Sequence, residues 1–112
     1  MADHTLLKVD KDVHVAKPWI HDYVITIGAV CKIHRLKVKE VRMTQTRKGQ
    51  HFYIQLNRPV SSELANRLQW LLGDDCRRVD FNHARIDSGL EEWNKLFEKP
   101  EVRMRTLYRK RV

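Results

Sequence analysis

The chain has 112 residues, 42% of them hydrophobic, which is enough to bury the core of one small domain but not of two. Its 22 lysines and arginines outnumber its 14 acidic residues, and the formal net charge of +8 favours polyanionic partners, with nucleic acid first. Two distant cysteines, Cys31 and Cys76, indicate neither a zinc site nor a disulfide framework, and the polar N-terminus predicts an intracellular, cytoplasmic protein without membrane contact.

The first predicted element is a strand over residues 6–15, where apolar and polar residues alternate and Lys11 alone interrupts the apolar side. Pro18 suits the first turn of a helix, and apolar residues then recur at a spacing of three or four. A strand is the alternative for residues 22–30, because DYVITIGAV is β-branched and also alternates. The helical positions are Trp19, Tyr23, Ile27, Val30 and His34.

A β-hairpin is predicted next. Residues 38–46 alternate, and RKGQ at residues 47–50 supplies a turn in which Gly49 can adopt positive φ. HFYIQL continues as a strand that points Phe52, Ile54 and Leu56 inward. The opposite face of that strand then carries His51, Tyr53 and Gln55.

The second half of the chain predicts a helix, a strand and a further helix. Ser61 or Ser62 caps the first helix and Gly73 ends it, with apolar positions at Leu64, Leu68, Leu71 and Leu72. CRRVDFNHAR holds a short strand centred on Val79 and Phe81. A capping box of Ser88 and Glu91 starts a last helix before Pro100, with Leu90, Trp93, Leu96 and Phe97 as its apolar positions.

This order of elements predicts an α+β fold of the ferredoxin-like or RRM-like type, a βαββαβ antiparallel sheet with helices on one face plus a C-terminal helix. Residues 1–102 are predicted to form a single domain, and residues 103–112 are predicted to form a basic, mobile C-terminal tail. The uncovered face of the sheet would carry polar residues, namely Asp10, Asp12, Arg42, Thr44, His51, Tyr53, Gln55 and Asp80.

Three carboxylates on that face have the potential to hold a hard divalent cation, Mg²⁺ or Mn²⁺. Asp10 and Asp12 lie two residues apart on one strand, and Asp80 lies on another. The alternative is that Asp10 and Asp12 are exposed carboxylates and that Asp80 pairs with an arginine beside it. His51 also has two interpretations. It either completes a hydrogen-bond network or contacts a phosphate together with the RKGQ turn.

The ordered motifs resemble the catalytic half of archaeo-eukaryotic primase-polymerases. They are DKD at residues 10–12, TRKGQH at residues 46–51 and RRVDF at residues 77–81, and GQHFYIQL, LQWLLGDDCRRVDF and GLEEWNKLF resemble related small proteins. The resemblance covers roughly residues 6–98. Gly49 stands where the family usually has a serine, and only nine residues precede Asp10, so a short, degenerate or accessory form is expected.

The resemblance implies a two-metal nucleotidyl-transfer site. Asp10 and Asp12 would bind Mg²⁺ or Mn²⁺, Asp80 would complete the coordination, and His51 would hold the incoming nucleotide with Arg47 or Lys48. The residues expected to contact phosphate or nucleic acid are Arg42, Arg47, Lys48, Tyr53, Arg78, Arg103 and Arg105.

The expected function is therefore nucleic-acid binding of the primase-polymerase type in replication of a virus, plasmid or archaeal-type genome, with a nucleoside triphosphate as a further ligand. DNA and RNA both remain open, as do a homodimer and a protein partner in a replication complex. The alternatives are an active metal-dependent nucleotidyltransferase, a rolling-circle nickase and an RNA-binding module. The nickase lacks a second histidine beside His51, and the RNA-binding module has only Tyr53 well placed for stacking.

Overall fold

Four strands and three helices make up the computed structural model, which describes residues 4–11, 16–96 and 104–110. None of the helices in those ranges is both long and apolar enough to span a bilayer. The elements are β1 (His4–Lys11), α1 (Lys17–Ile33), β2 (Val38–Gln45), β3 (Gln50–Val60), α2 (Ser62–Leu71), α3 (Cys76–Asp87) and β4 (Met104–Arg109).

Residues 22–30, for which the sequence favours a helix with a strand as the alternative, are helical. Pro18 lies in the first turn of α1, and the buried residues Ile27 and Cys31 are four apart, which places them on one side of a helix. The helix ends in a Schellman motif, in which the amide of Leu36 donates to the carbonyl of Cys31 at 2.9 Å. Arg35 takes the left-handed position of that motif, with φ of 59°, where glycine is the usual residue.

The predicted hairpin is confirmed, but the positive φ expected at Gly49 is not found. Strands β2 and β3 pair antiparallel up to Gln45 and Gln50, so residues 46–49 form the loop between them. The amide of Thr46 donates to the carbonyl of Gly49 at 2.8 Å, and the Thr46 hydroxyl accepts from the Gly49 amide at 3.0 Å. The predicted helix after β3 is confirmed as well, because Ser61 caps α2 and Gly73 follows it with φ of 89°.

The predicted strand around Val79 and Phe81 is wrong, since CRRVDFNHARID forms α3. The Asp75 side chain caps this helix by accepting from the Arg77 amide at 3.1 Å. Its buried positions are Arg78 and Asn82, four residues apart. Its inner face is polar, so the apolar alternation of the sequence did not show which face is buried.

The predicted C-terminal helix is also wrong. Ser88 ends α3 rather than beginning a new helix, and Gly89 follows with φ of 78°. The amide of Leu90 donates to the carbonyl of Arg85 at 3.0 Å, which completes a Schellman motif here as well. Trp93 is nevertheless buried, and its indole nitrogen lies 3.0 Å from both the Ser62 hydroxyl and the His4 ring. Phe97 lies outside the described residues.

The fourth strand comes from the segment predicted to be a mobile tail. Residues 104–109 form β4, which pairs antiparallel with β2 from Thr44 and Met104 to Glu40 and Arg109. The prediction of a mobile tail is therefore wrong for these residues, and Arg103 lies outside the described part of the chain.

The sheet is antiparallel, with the strand order β1-β3-β2-β4. An α+β fold is therefore confirmed, but the ferredoxin-like order is not, because β4 lies next to β2 and α3 replaces the expected last strand. Helices α1 and α2 cover the apolar face of the sheet. The core consists of Leu7, Val9, Ile27, Cys31, Leu36, Val41, Met43, Phe52, Ile54, Leu56, Val60, Ala65, Leu68, Leu72 and Trp93.

Candidate nucleic-acid interface

The strand register brings together part of the predicted polar face. Asp10, His51 and Thr44 stand opposite one another on β1, β3 and β2, and Tyr53 stands opposite Arg42 in the neighbouring row. The Nε2 atom of His51 lies 3.3 Å from Oδ1 of Asp10. The sequence therefore located this histidine and this carboxylate on one face correctly.

The centre of that face is not open to solvent. His51 is 8% exposed and Tyr53 is 7% exposed, and Thr44 beside them is buried as well. A ring that stacks on a nucleobase must present its face, which a side chain buried to this degree does not do. Tyr53 and His51 are therefore interior residues in this structure, and Tyr53 does not present its ring for stacking.

The third predicted carboxylate lies elsewhere. Asp80 is exposed on α3, two positions after Arg78 and therefore on nearly the opposite side of the helix from it. Within residues 4–11, 16–96 and 104–110, no three histidine, cysteine or acidic side chains form a group suited to a metal ion. Asp12 falls between the described ranges.

Arg78 is buried in a polar network rather than exposed to a phosphate. Its guanidinium lies 2.5 Å from Oδ2 of Asp74 and 2.6 Å from Oδ1 of Asn94. It also donates to the backbone carbonyl of Lys8 at 3.0 Å and to that of Lys95 at 3.1 Å. Burial raises the pKa of Asp74 against the opposing effect of Arg78, so this pair forms in a desolvated site.

The same network closes the outer edge of β1. The amide of Lys8 donates to Oε1 of Gln69 at 3.0 Å, and the amide of Asp10 donates to Oδ1 of Asp74 at 2.9 Å. The amide of Asp75 in turn donates to the carbonyl of Asp10 at 3.0 Å. Side chains and one backbone amide thus take the place of a neighbouring strand. The GDD motif at residues 73–75 was the sequence signal for the two aspartates among these partners.

Charge is strongly divided between two parts of the molecule. Residues 61–96 contain seven acidic and five basic residues, whereas residues 32–58 and 104–110 contain eleven lysines and arginines and one acidic residue. That acid, Glu40, lies 2.9 Å from Arg42 and 2.7 Å from Arg109. We refer to the eleven cations as the basic edge: Lys32, Arg35, Lys37, Lys39, Arg42, Arg47, Lys48, Arg58, Arg105, Arg109 and Lys110.

Several members of the basic edge line a groove of about 810 Å³ between α1 and the strands β2 and β4. The groove has an aliphatic floor, to which Val38, Val41 and Leu107 contribute. Its volume falls within the range of ligand-binding clefts. Sequence reasoning missed this groove, and the available signal was that α1 carries apolar residues on more than one side, including the exposed Ile25.

The lining of the groove is strongly basic. Among the residues that the structure describes, five lysines and arginines line it, together with His21, and no carboxylate does. A positive potential in a low-dielectric cleft is concentrated there rather than screened, which favours an anionic ligand. The five cations are Lys17, Lys32, Lys37, Arg105 and Lys110.

Comparison with protein-family models, with curated proteins and with solved structures finds no match for this chain.

Proposed function

We propose that this chain binds nucleic acid through the basic edge and serves as an accessory, non-catalytic protein of the primase-polymerase-like type in DNA replication. The observation that carries the proposal is the division of charge, because the segments 32–58 and 104–110, which the pairing of β2 with β4 joins, carry a net charge of +10, whereas residues 61–96 carry a net charge of −2. Neutralising phosphates with clustered lysines and arginines releases counterions and supplies affinity without base recognition.

An accessory role is favoured over catalysis by the arrangement of the acidic residues. Asp10 is next to His51, whereas Asp80 lies on the exposed side of a helix and does not share the sheet face. A two-metal mechanism needs carboxylates that converge on both cations. Asp10 also forms part of the β1 edge through its backbone, which gives this position a structural role independent of metal.

Salt-dependent binding of a labelled single-stranded oligonucleotide, measured by fluorescence anisotropy, tests the proposal. The double variant Lys39→Ala, Lys48→Ala removes two cations of the basic edge and should lower the slope of log affinity against log salt by about 1.4. The matched control is Arg77→Ala, Lys95→Ala, which removes the same charge from residues 61–96.

An unchanged slope in the first variant, or equal losses in both variants, would contradict the proposal. The catalytic alternative is tested separately by nucleotide incorporation with added Mn²⁺. Activity that Asp10→Ala abolishes would overturn the accessory assignment, whereas binding without incorporation supports it.

A further inference from the structure

We infer that the groove between α1 and β4 holds the unstacked bases of a single strand of nucleic acid, while the cations around it contact the phosphates. This inference rests on the proposed function and adds to it the strand type and the place of binding. The groove is on the helix-covered side of the sheet, away from the face that carries Asp10 and His51.

The first argument is the extent of the groove along α1. It is lined by a continuous stripe of this helix, from Lys17 at one end to Lys32 at the other. These residues are fifteen positions apart, which corresponds to about 22 Å along a helix. A small amphipathic anion pairs its single charge at one point, whereas a polymer with regularly spaced phosphates meets cations along the whole length.

The second argument is the combination of an aliphatic floor with a basic rim. Single-strand binding sites pair a positive groove that follows the backbone with aromatic side chains on which the bases stack. Here the partly exposed Val38 and Leu107 supply the apolar floor, and Tyr108 supplies a partly exposed ring at the edge of the groove. A duplex keeps its bases stacked and paired inside, so it would meet only the rim.

The third argument concerns the space inside the groove. Gly28 lines it, and a Cβ atom built at this glycine meets no other atom within 4 Å. Ile25 also lines it and is largely exposed, although it is a large aliphatic residue on a helix. The wall of the groove therefore offers apolar surface and free volume at the same place.

The free volume at Gly28 allows the groove to be filled without disturbing the core. Gly28→Trp should weaken binding of a single-stranded oligonucleotide by about tenfold or more and leave duplex binding nearly unchanged. Gly28→Ala is the control, since it changes the same backbone position but leaves the groove open. Thermal melts of both variants check that the fold is retained.

A second pair of variants introduces a negative charge, in one variant inside the groove and in the other outside it. Ile25→Asp introduces a carboxylate beside the bound strand and should weaken its binding strongly. Ile33→Asp introduces the same charge on the same helix at an exposed residue that does not line the groove, and its effect on binding should be clearly smaller than that of Ile25→Asp. Both residues are exposed, so neither change removes core packing.

The outcomes separate this inference from the proposed function. If no oligonucleotide binds at low salt, both fail together. If single strands and duplex bind equally and the Ile25 and Ile33 variants behave alike, the groove inference is overturned while the proposed function stands. Sedimentation of the free protein tests a second copy as the occupant, and a dimer that Gly28→Trp dissociates would also overturn the inference.

Discussion

The outer strands β1 and β4 differ in what lies against them. At β1, Gln69, Asp74 and Arg78 satisfy the backbone in a buried polar network. At β4, the side chains are mostly exposed, and Arg109 pairs with Glu40 at the surface. The Arg78–Asp74 pair is desolvated, whereas the Arg109–Glu40 pair is hydrated. We therefore expect the first pair to matter mainly for stability and the second mainly for surface charge.

The largest expected effect comes from breaking the buried pair. Arg78→Ala leaves the Asp74 carboxylate without its partner and should lower the free energy of unfolding by about 3–5 kcal/mol. Urea denaturation measures the change. His83 and Asp87 form an exposed pair on the same helix, and Asp87→Ala should cost less than about 1 kcal/mol. Similar losses in the two variants would contradict the contrast between buried and exposed pairs.

An intermediate effect is expected at Trp93, which ties the segment after α3 to the β1 side of the molecule. Trp93→Phe keeps an aromatic ring but removes the indole donor that lies 3.0 Å from Ser62 and His4. The buried Ser62 hydroxyl and the partly buried His4 ring lose a donor, so stability should fall by about 1–3 kcal/mol in the same denaturation assay. Oligonucleotide affinity should not change, because Trp93 does not line the groove and carries no charge.

A stabilising change of about 1 kcal/mol is expected where α1 ends. Arg35 has φ of 59°, a conformation that costs an L-residue energy and costs glycine little. Arg35→Gly should therefore raise the melting temperature, as measured by circular dichroism. The backbone carbonyl of Arg35 still accepts from Arg58 in this variant. A lower melting temperature would show that the arginine side chain itself stabilises the fold.

The smallest effect on stability is expected for the exposed pair at β4. Arg109→Ala should change the free energy of unfolding by less than about 1 kcal/mol, because Arg109 is largely solvated. The same variant should lower the salt slope of oligonucleotide binding by about 0.7. A large loss of stability with an unchanged slope would reverse the roles assigned to the two edges.

Local signals in the sequence were sufficient for about half of the fold. The β2–β3 hairpin and α2 are each specified by adjacent residues, such as the glycine turn and the Ser61 cap, and both were predicted correctly. Helix α3 was missed because its buried residues are Arg78 and Asn82, which apolar periodicity does not register. Its burial depends on partners far along the chain, including Lys8 and Asn94.

The candidate site was less accessible to sequence reasoning than the fold. His51 and Asp10 were placed on one face by alternation alone, which strand geometry makes dependable. The groove joins α1 to β4, two segments separated by most of the chain, and no local pattern pairs them. The basic segments were evident from composition, but their assembly on one part of the molecule required the strand order.

The position of β4 has a consequence for motion. It is an edge strand of the sheet, and among its residues only Leu107 packs partly against the core, so detaching it exposes little apolar surface. Openings of this kind cost much less than global unfolding. Amide hydrogens of β4 should therefore exchange with solvent well before those of β3, and a ligand held under α1 would delay that exchange.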